Sequence, residues 1–136
     1  METKKAGCVL INSKEKTAAI IFREYLNDYS FPKGHLENGE TLIECAVRET
    51  AEETKRIAEI VKNIPPFIDK YTTPKGEKCV CYMYLALDKG KSDNDSTDTH
   101  DTIWIPYNRV KDYLSYPSLI KTWEFFEEYI ESTNTD

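Results

Sequence analysis

Long apolar runs are missing from this 136-residue chain. No stretch approaches the roughly 20 apolar residues that a membrane-spanning helix needs, so no membrane association is expected. The first residues, METKKAG, lack the apolar centre of a signal peptide. A surplus of positive charge is missing too. Eighteen Lys and Arg stand against 24 Asp and Glu, a formal net charge of −6. That argues against a chain that holds nucleic acid mainly through phosphate contacts. An anionic small molecule would need local help from a metal and a few lysines. Paired cysteine spacings are also missing: Cys8, Cys45, Cys79 and Cys81 form no Cys-x-x-Cys. Three of them lie within apolar runs. They read as reduced, buried residues of a cytosolic protein, not as zinc ligands or disulfides. There is no internal repeat and no visible domain boundary, so residues 1–136 read as one domain, long enough to bury a core.

What the chain does have is the stretch Gly34 to Glu53, GHLENGETLIECAVRETAEE. Thr41 to Thr54 reads as one helix. Thr41 is placed to be its N-cap, with Glu44 three residues on, the spacing of a capping box. Residues three and four apart share a helix face. Glu49 and Glu53 are therefore stacked neighbours, with Glu52 beside them. Such like charges repel, and a solvated acidic face is the plain reading. Two features favour another. Arg48 stands four residues from both Glu44 and Glu52, so it can brace carboxylates that must stay ionised. Gly34 and Gly39 precede the helix at fixed offsets. Clustered carboxylates supply the oxygen ligands that hard divalent cations prefer.

The remaining elements are set by alternation and by turn residues. Lys5–Asn12 and Thr17–Tyr25 read as a strand hairpin around the turn 13–16. Residues 27–30 read as a loop leading to Phe31-Pro32-Lys33-Gly34-His35. Lys33 and His35 flank the place where a phosphate would meet a metal; a solvated loop lysine and a turn histidine are the alternatives. Residues 56–63 read as a strand or a helix extension, stopped by Pro65-Pro66. Phe67–Thr73 and Lys78–Leu87 read as strands. In the second of these, Val80, Tyr82 and Tyr84 share one face, and Cys79, Cys81 and Met83 the other. Residues 88–101 form a polar, acidic tract expected to be a flexible loop. A short strand at 102–106, a short helix within 106–113 and a terminal helix over 117–131 complete the chain. Leu119, Ile120, Trp123, Phe126 and Ile130 give that last helix an apolar face. The order alone implies an α+β or layered αβα domain.

Gly34, five residues, Glu40, seven residues, then Arg48-Glu49-Thr50-Ala51-Glu52-Glu53 resembles the Nudix box. Thr50 stands where the box has an aliphatic residue, Lys55 where it has glycine, and Arg56 where it has an aliphatic. The resemblance implies the α+β Nudix fold, a mixed sheet sandwiched between helices. It implies hydrolysis of a nucleoside diphosphate linked to another group, with Mg²⁺ or Mn²⁺ held by Glu49, Glu52, Glu53, the Gly34 carbonyl and Asp98. A helix glutamate would be the general base, with Asp98 or Asp101 as the alternative. Arg48 would serve the catalytic set, and Glu40 and Arg48 would form a structural brace. FPKGHLENGE with AVRETAEET is most similar to the asymmetric diadenosine tetraphosphate hydrolases; diphosphoinositol polyphosphate phosphohydrolases have a similar PKGH stretch. In the first group a strand tyrosine stacks on adenine, a role for which Tyr82 and Tyr84 are candidates, with packing as the alternative for each. A broad housecleaning pyrophosphatase and a non-catalytic nucleotide-binding domain are the other readings. The box glycine also suggests that the helix stops at Thr54 or Lys55, with Lys55 at positive φ. Lys55→Gly would then stabilise the chain and leave activity alone.

Overall fold

Strand β1, Thr3–Asn12, sends alternate side chains to opposite faces of a sheet. Ala6, Cys8 and Leu10 enter one apolar cluster, Val9 and Ile11 another. The same division runs through the sheet and creates two cores. The computed structural model describes residues 2–97 and 100–132. After β1 come β2 (Thr17–Arg23), β3 (Asp28–Ser30), β4 (Lys33–His35), α1 (Leu42–Thr54), β5 (Arg56–Ile60), β6 (Phe67–Thr72), β7 (Lys78–Lys91) and β8 (Asp101–Pro106). A single 3₁₀ turn, Tyr107–Arg109, then leads into α2 (Val110–Tyr113) and α3 (Pro117–Ser132).

The sheet is mixed. Its central order is β3-β2-β1-β7-β5, with β1 and β7 parallel from Thr3↔Cys79 to Ile11↔Leu87. The other pairs are antiparallel, including β4 on β1, β6 on β7 and β8 on β2. One face packs against α3 through Phe31, Met83, Leu85, Trp123, Phe126 and Ile130. The other packs against α1 through Ala6, Cys8, Ala19, Cys45, Ala46 and Ala86. The layered αβα arrangement follows. On the α1 side the charged face of that helix meets β4 and the Lys5 end of β1. No helix among the described residues is long and apolar enough to cross a membrane.

Helix α1 begins as its sequence implies. The Thr41 hydroxyl accepts the Glu44 N–H at 3.1 Å, and the Glu44 carboxylate accepts the Thr41 N–H at 2.9 Å. This capping box occupies Glu44, which is therefore not an Arg48 partner. The helix ends at Lys55 with φ 60° and ψ 31°, in the left-handed region.

Two loop assignments need correction. Residues 28–30 form β3, paired with β2, because Arg23 and Asp28 join across the turn in a two-pronged ion pair, both contacts 2.8 Å. Burial alone would raise the Asp28 pKa, but the hydrogen bonds from Arg23 and Tyr116 overcome it and hold the carboxyl below its usual range. The tract 88–101 is only partly a loop. Strand β7 runs on to Lys91 because β5 pairs with it, and Arg56 grips Asp88 at 2.9 and 2.7 Å. Asp101 already belongs to β8. Residues 56–60 are strand, not helix extension.

Candidate active site

Glycine at position 34 lets strand β4 lie directly on α1. A Cβ there would meet the Glu49 carboxyl carbon at 2.1 Å and both its oxygens at 2.3 Å. The backbone of β4 then bonds to three side chains of the helix. The Lys33 N–H donates to Glu53 Oε1 at 2.9 Å. The His35 carbonyl accepts Arg48 Nη2 at 3.0 Å. The Gly34 carbonyl accepts the Cys45 thiol at 3.6 Å.

Glu49 and Glu53 are only 8% and 7% exposed. Carboxylates are seldom so buried unless partnered, which removes the reading of a solvated acidic face. Arg48 supplies much of the compensation. Its Nη1 donates to Glu49 Oε2 at 2.9 Å and Glu52 Oε2 at 3.0 Å. Its Nε and Nη2 grip Glu40 at 2.6 and 3.0 Å. These bonds hold the Glu40 carboxyl down at about 2 and push the Arg48 guanidinium above its ordinary pKa. Among the described residues, no three His, Cys, Asp or Glu side chains stand grouped as a ready metal cage; Glu49 and Glu52 are turned to Arg48.

A cleft of about 450 Å³ opens over this helix face. Glu49, Glu52, Glu53, Arg48, Gly34, Lys33 and His35 line it, and so do Lys5, Arg23, Tyr25, Glu37 and His100. The second group was not singled out from sequence. Lys5 arrives because β1 pairs with β4 in the register Lys5↔His35. Arg23 is held by Asp28, and His100 Nε2 lies 3.6 Å from Glu53 Oε2. The ammonium groups of Lys5 and Lys33 stand 5.5 and 4.9 Å from the centre of the Tyr71 ring. Burial holds the Lys33 pKa below its usual value. An arginine and an aspartate flanking a tight turn were the available signal for Arg23; the others are brought in by pairing distant in sequence.

The structure does not bring every expected residue here. Tyr82 and Tyr84 sit in the α1-side core cluster, Tyr84 buried, and neither lines the cleft. They share one face of β7, where Tyr84 is part of the α1-side core and Tyr82 is half-buried beside the exposed Ile68. Asp101 is exposed on β8, paired across to Phe22, and is outside the cleft lining. Asp98 lies outside the described residues. All four cysteines are free and buried. Burial pushes the Cys8 and Cys45 thiols up to about 12 and Cys81 to about 11, which keeps them protonated packing groups.

Residues 1–127 match the family model described as the NUDIX domain. An 8-oxo-(d)GTP phosphatase of Mycolicibacterium smegmatis (strain ATCC 700084 / mc(2)155) is 34% identical over 118 residues, which are 86% of this chain and 35% of that protein. The chain thus spans about a third of that relative's length. A NUDIX hydrolase structure from Nitrosomonas europaea is similar at TM-score 0.78 and 17% identity, covering 95% of this chain and 90% of that one. The C. elegans Ap4A hydrolase is similar at TM-score 0.77 and 21% identity, covering 96% and 99%. At such identities the structural likeness speaks for the fold alone.

Proposed function

This chain belongs to the Nudix family, and on that premise we propose that its cleft hydrolyses a phosphoanhydride bond in a nucleotide, with a dinucleoside polyphosphate such as diadenosine tetraphosphate as the substrate. The observation that carries this reading is one cleft holding two kinds of charge. Buried carboxylates Glu49 and Glu53, with Glu52, share it with Lys5, Arg23 and Lys33. A polyphosphate needs the cations to offset its charge. The carboxylates are hard oxygen donors, which suit Mg²⁺ or Mn²⁺. Glu49, Glu52, Glu53 and the Gly34 carbonyl would hold the ion, and the glycine leaves the room that Glu49 occupies. When bound, such an ion screens phosphate charge and acidifies a water. A helix glutamate would accept the proton of the attacking water. Glu40 anchors Arg48, and Arg48 in turn holds the Glu49 and Glu52 carboxylates in place.

A second reading is a housecleaning nucleotide pyrophosphatase, favoured by the 34% identity to a protein named as an 8-oxo-(d)GTP phosphatase. A substrate panel with Mg²⁺ separates the two. It contains diadenosine tetraphosphate, 8-oxo-dGTP, ADP-ribose, nucleoside triphosphates and an inositol pyrophosphate, with products identified. The expected result is the highest kcat/KM for diadenosine tetraphosphate, split into ATP and AMP. A clear preference for 8-oxo-dGTP would establish the second reading. No turnover of any member with Mg²⁺ or Mn²⁺ would leave a binding domain.

Gly34→Ala offers a more local test. The added Cβ displaces the Glu49 carboxylate, and a misplacement of about 1 Å in a catalytic set costs about 10²-fold. The variant should lose activity on that scale with little loss of thermal stability, because the end of a side chain moves rather than the backbone. Unchanged kcat/KM would count against Glu49 as a catalytic group.

A further inference from the structure

Lys55 is strained where it stands. At φ 60° a residue with a Cβ is disfavoured, whereas glycine is not. Yet its side chain does something no glycine can. Lys55 Nζ donates to the main-chain carbonyls of Asn94 and Ser96. The Lys55 carbonyl accepts the Ser92 N–H at 2.9 Å, and the Glu53 carbonyl accepts the His100 N–H at 3.1 Å. The last turn of a helix leaves carbonyls without helical partners. Here they and the Lys55 ammonium fasten the chain that follows β7. The result reaches the cleft. His100 Nε2 stands 3.6 Å from Glu53 Oε2. Its ring faces that of Tyr25, with centroids 6.0 Å apart and planes 29° apart.

We propose that Lys55 is a positioning residue: it ties residues 92–97 to the end of α1 and so sets His100 in the cleft wall, where His100 contacts the bound nucleotide. This rests on the hydrolase reading for its kinetic part, but the tether itself does not. Lys55→Gly, expected from sequence to be silent in activity, therefore trades backbone strain for a lost anchor.

The test uses the whole chain with Lys55→Met, which keeps the aliphatic stem, Lys55→Arg, which keeps a donor cation, and His100→Ala. In Lys55→Met, amide hydrogen exchange at Ser92 and His100 should speed up about tenfold or more while the middle of α1 is unchanged. With a substrate the chain turns over, KM should rise about five- to tenfold and kcat stay within about twofold, the pattern of lost binding shared by ground and transition states. Lys55→Arg should restore both. Lys55→Met combined with His100→Ala should be no worse than His100→Ala alone. Unchanged exchange at both amides would overturn the tether, whatever the chain hydrolyses. Faster exchange with unchanged KM, or losses that simply add in the double variant, would overturn the link to His100. A chain that turns over no substrate defeats the proposed function, and the exchange result then still decides the tether.

Discussion

Glu53→Gln is expected to reduce hydrolysis by about 10²–10³-fold, the scale on which removing one group that stabilises transition-state charge is felt. The fold should survive. Glutamine has the same shape, and its carbonyl oxygen can still accept the Lys33 N–H that now reaches Glu53 Oε1 at 2.9 Å. What it loses is charge. Glu53 lies one turn from Glu49, and both are buried. Two carboxylates so placed repel, so neutralising one should leave the melting temperature at or above that of the wild type. A structural carboxylate would behave in the opposite way: activity would fall only as far as stability did. The measurements are kcat at saturating substrate and Mg²⁺, and a thermal melt of the same preparation. Near-wild-type turnover would remove Glu53 from the catalytic set. A melt far below wild type would mean that its charge holds β4 in place.

What could be read in advance was local. The capping box at Thr41 and Glu44 and the carboxylates four residues apart are fixed within a few residues by helix geometry; the left-handed end at Lys55 was legible only through the resemblance, whose box has glycine there. The alternation in β7 sorted Tyr82 from Met83 correctly. It could not say which side chains would pack beside the tyrosines, because a period of two assigns faces and not neighbours. The cleft's cations were hidden for the same reason. Lys5 reaches His35 only through strand pairing across some 30 positions of chain, and His100 reaches Glu53 only because the chain after β7 folds back on α1. The length of β7 misled because its last residues are polar. Asp88 belongs in a strand once β5 brings Ala58 opposite it and the Arg56 side chain within reach to pair with it. Lys55 was legible as a conformation and not as a contact, since its partners are main-chain carbonyls that any sequence would offer.

Arg48→Met should destabilise the domain by about 2–3 kcal/mol and abolish most activity. Removing one partner of a fully buried ion pair costs roughly 3–5 kcal/mol, and exposed pairs are worth far less. The Arg48 side chain is 24% exposed and its partners Glu40, Glu49 and Glu52 are 13%, 11% and 21% exposed, so an intermediate figure applies. Methionine retains much of the aliphatic stem, which isolates the guanidinium. Without it Glu40, Glu49 and Glu52 lose a shared counter-charge, and the His35 carbonyl keeps only the weaker Cys45 thiol of its two donors. The pH dependence identifies the cause. In the wild type the Glu40 pKa is depressed from 4.5 to about 2, chiefly by its hydrogen bond from Arg48. A depressed carboxylate contributes stability that is fully present above its unfolded pKa and is lost as pH falls through its folded one. That contribution is absent from the variant. The gap between the two proteins should therefore be widest above about pH 5 and close as pH falls toward about 2. Urea unfolding of both at pH 7, 5 and 3 measures it. A gap that stays constant over this range would show that Arg48 acts through packing and not through its charge.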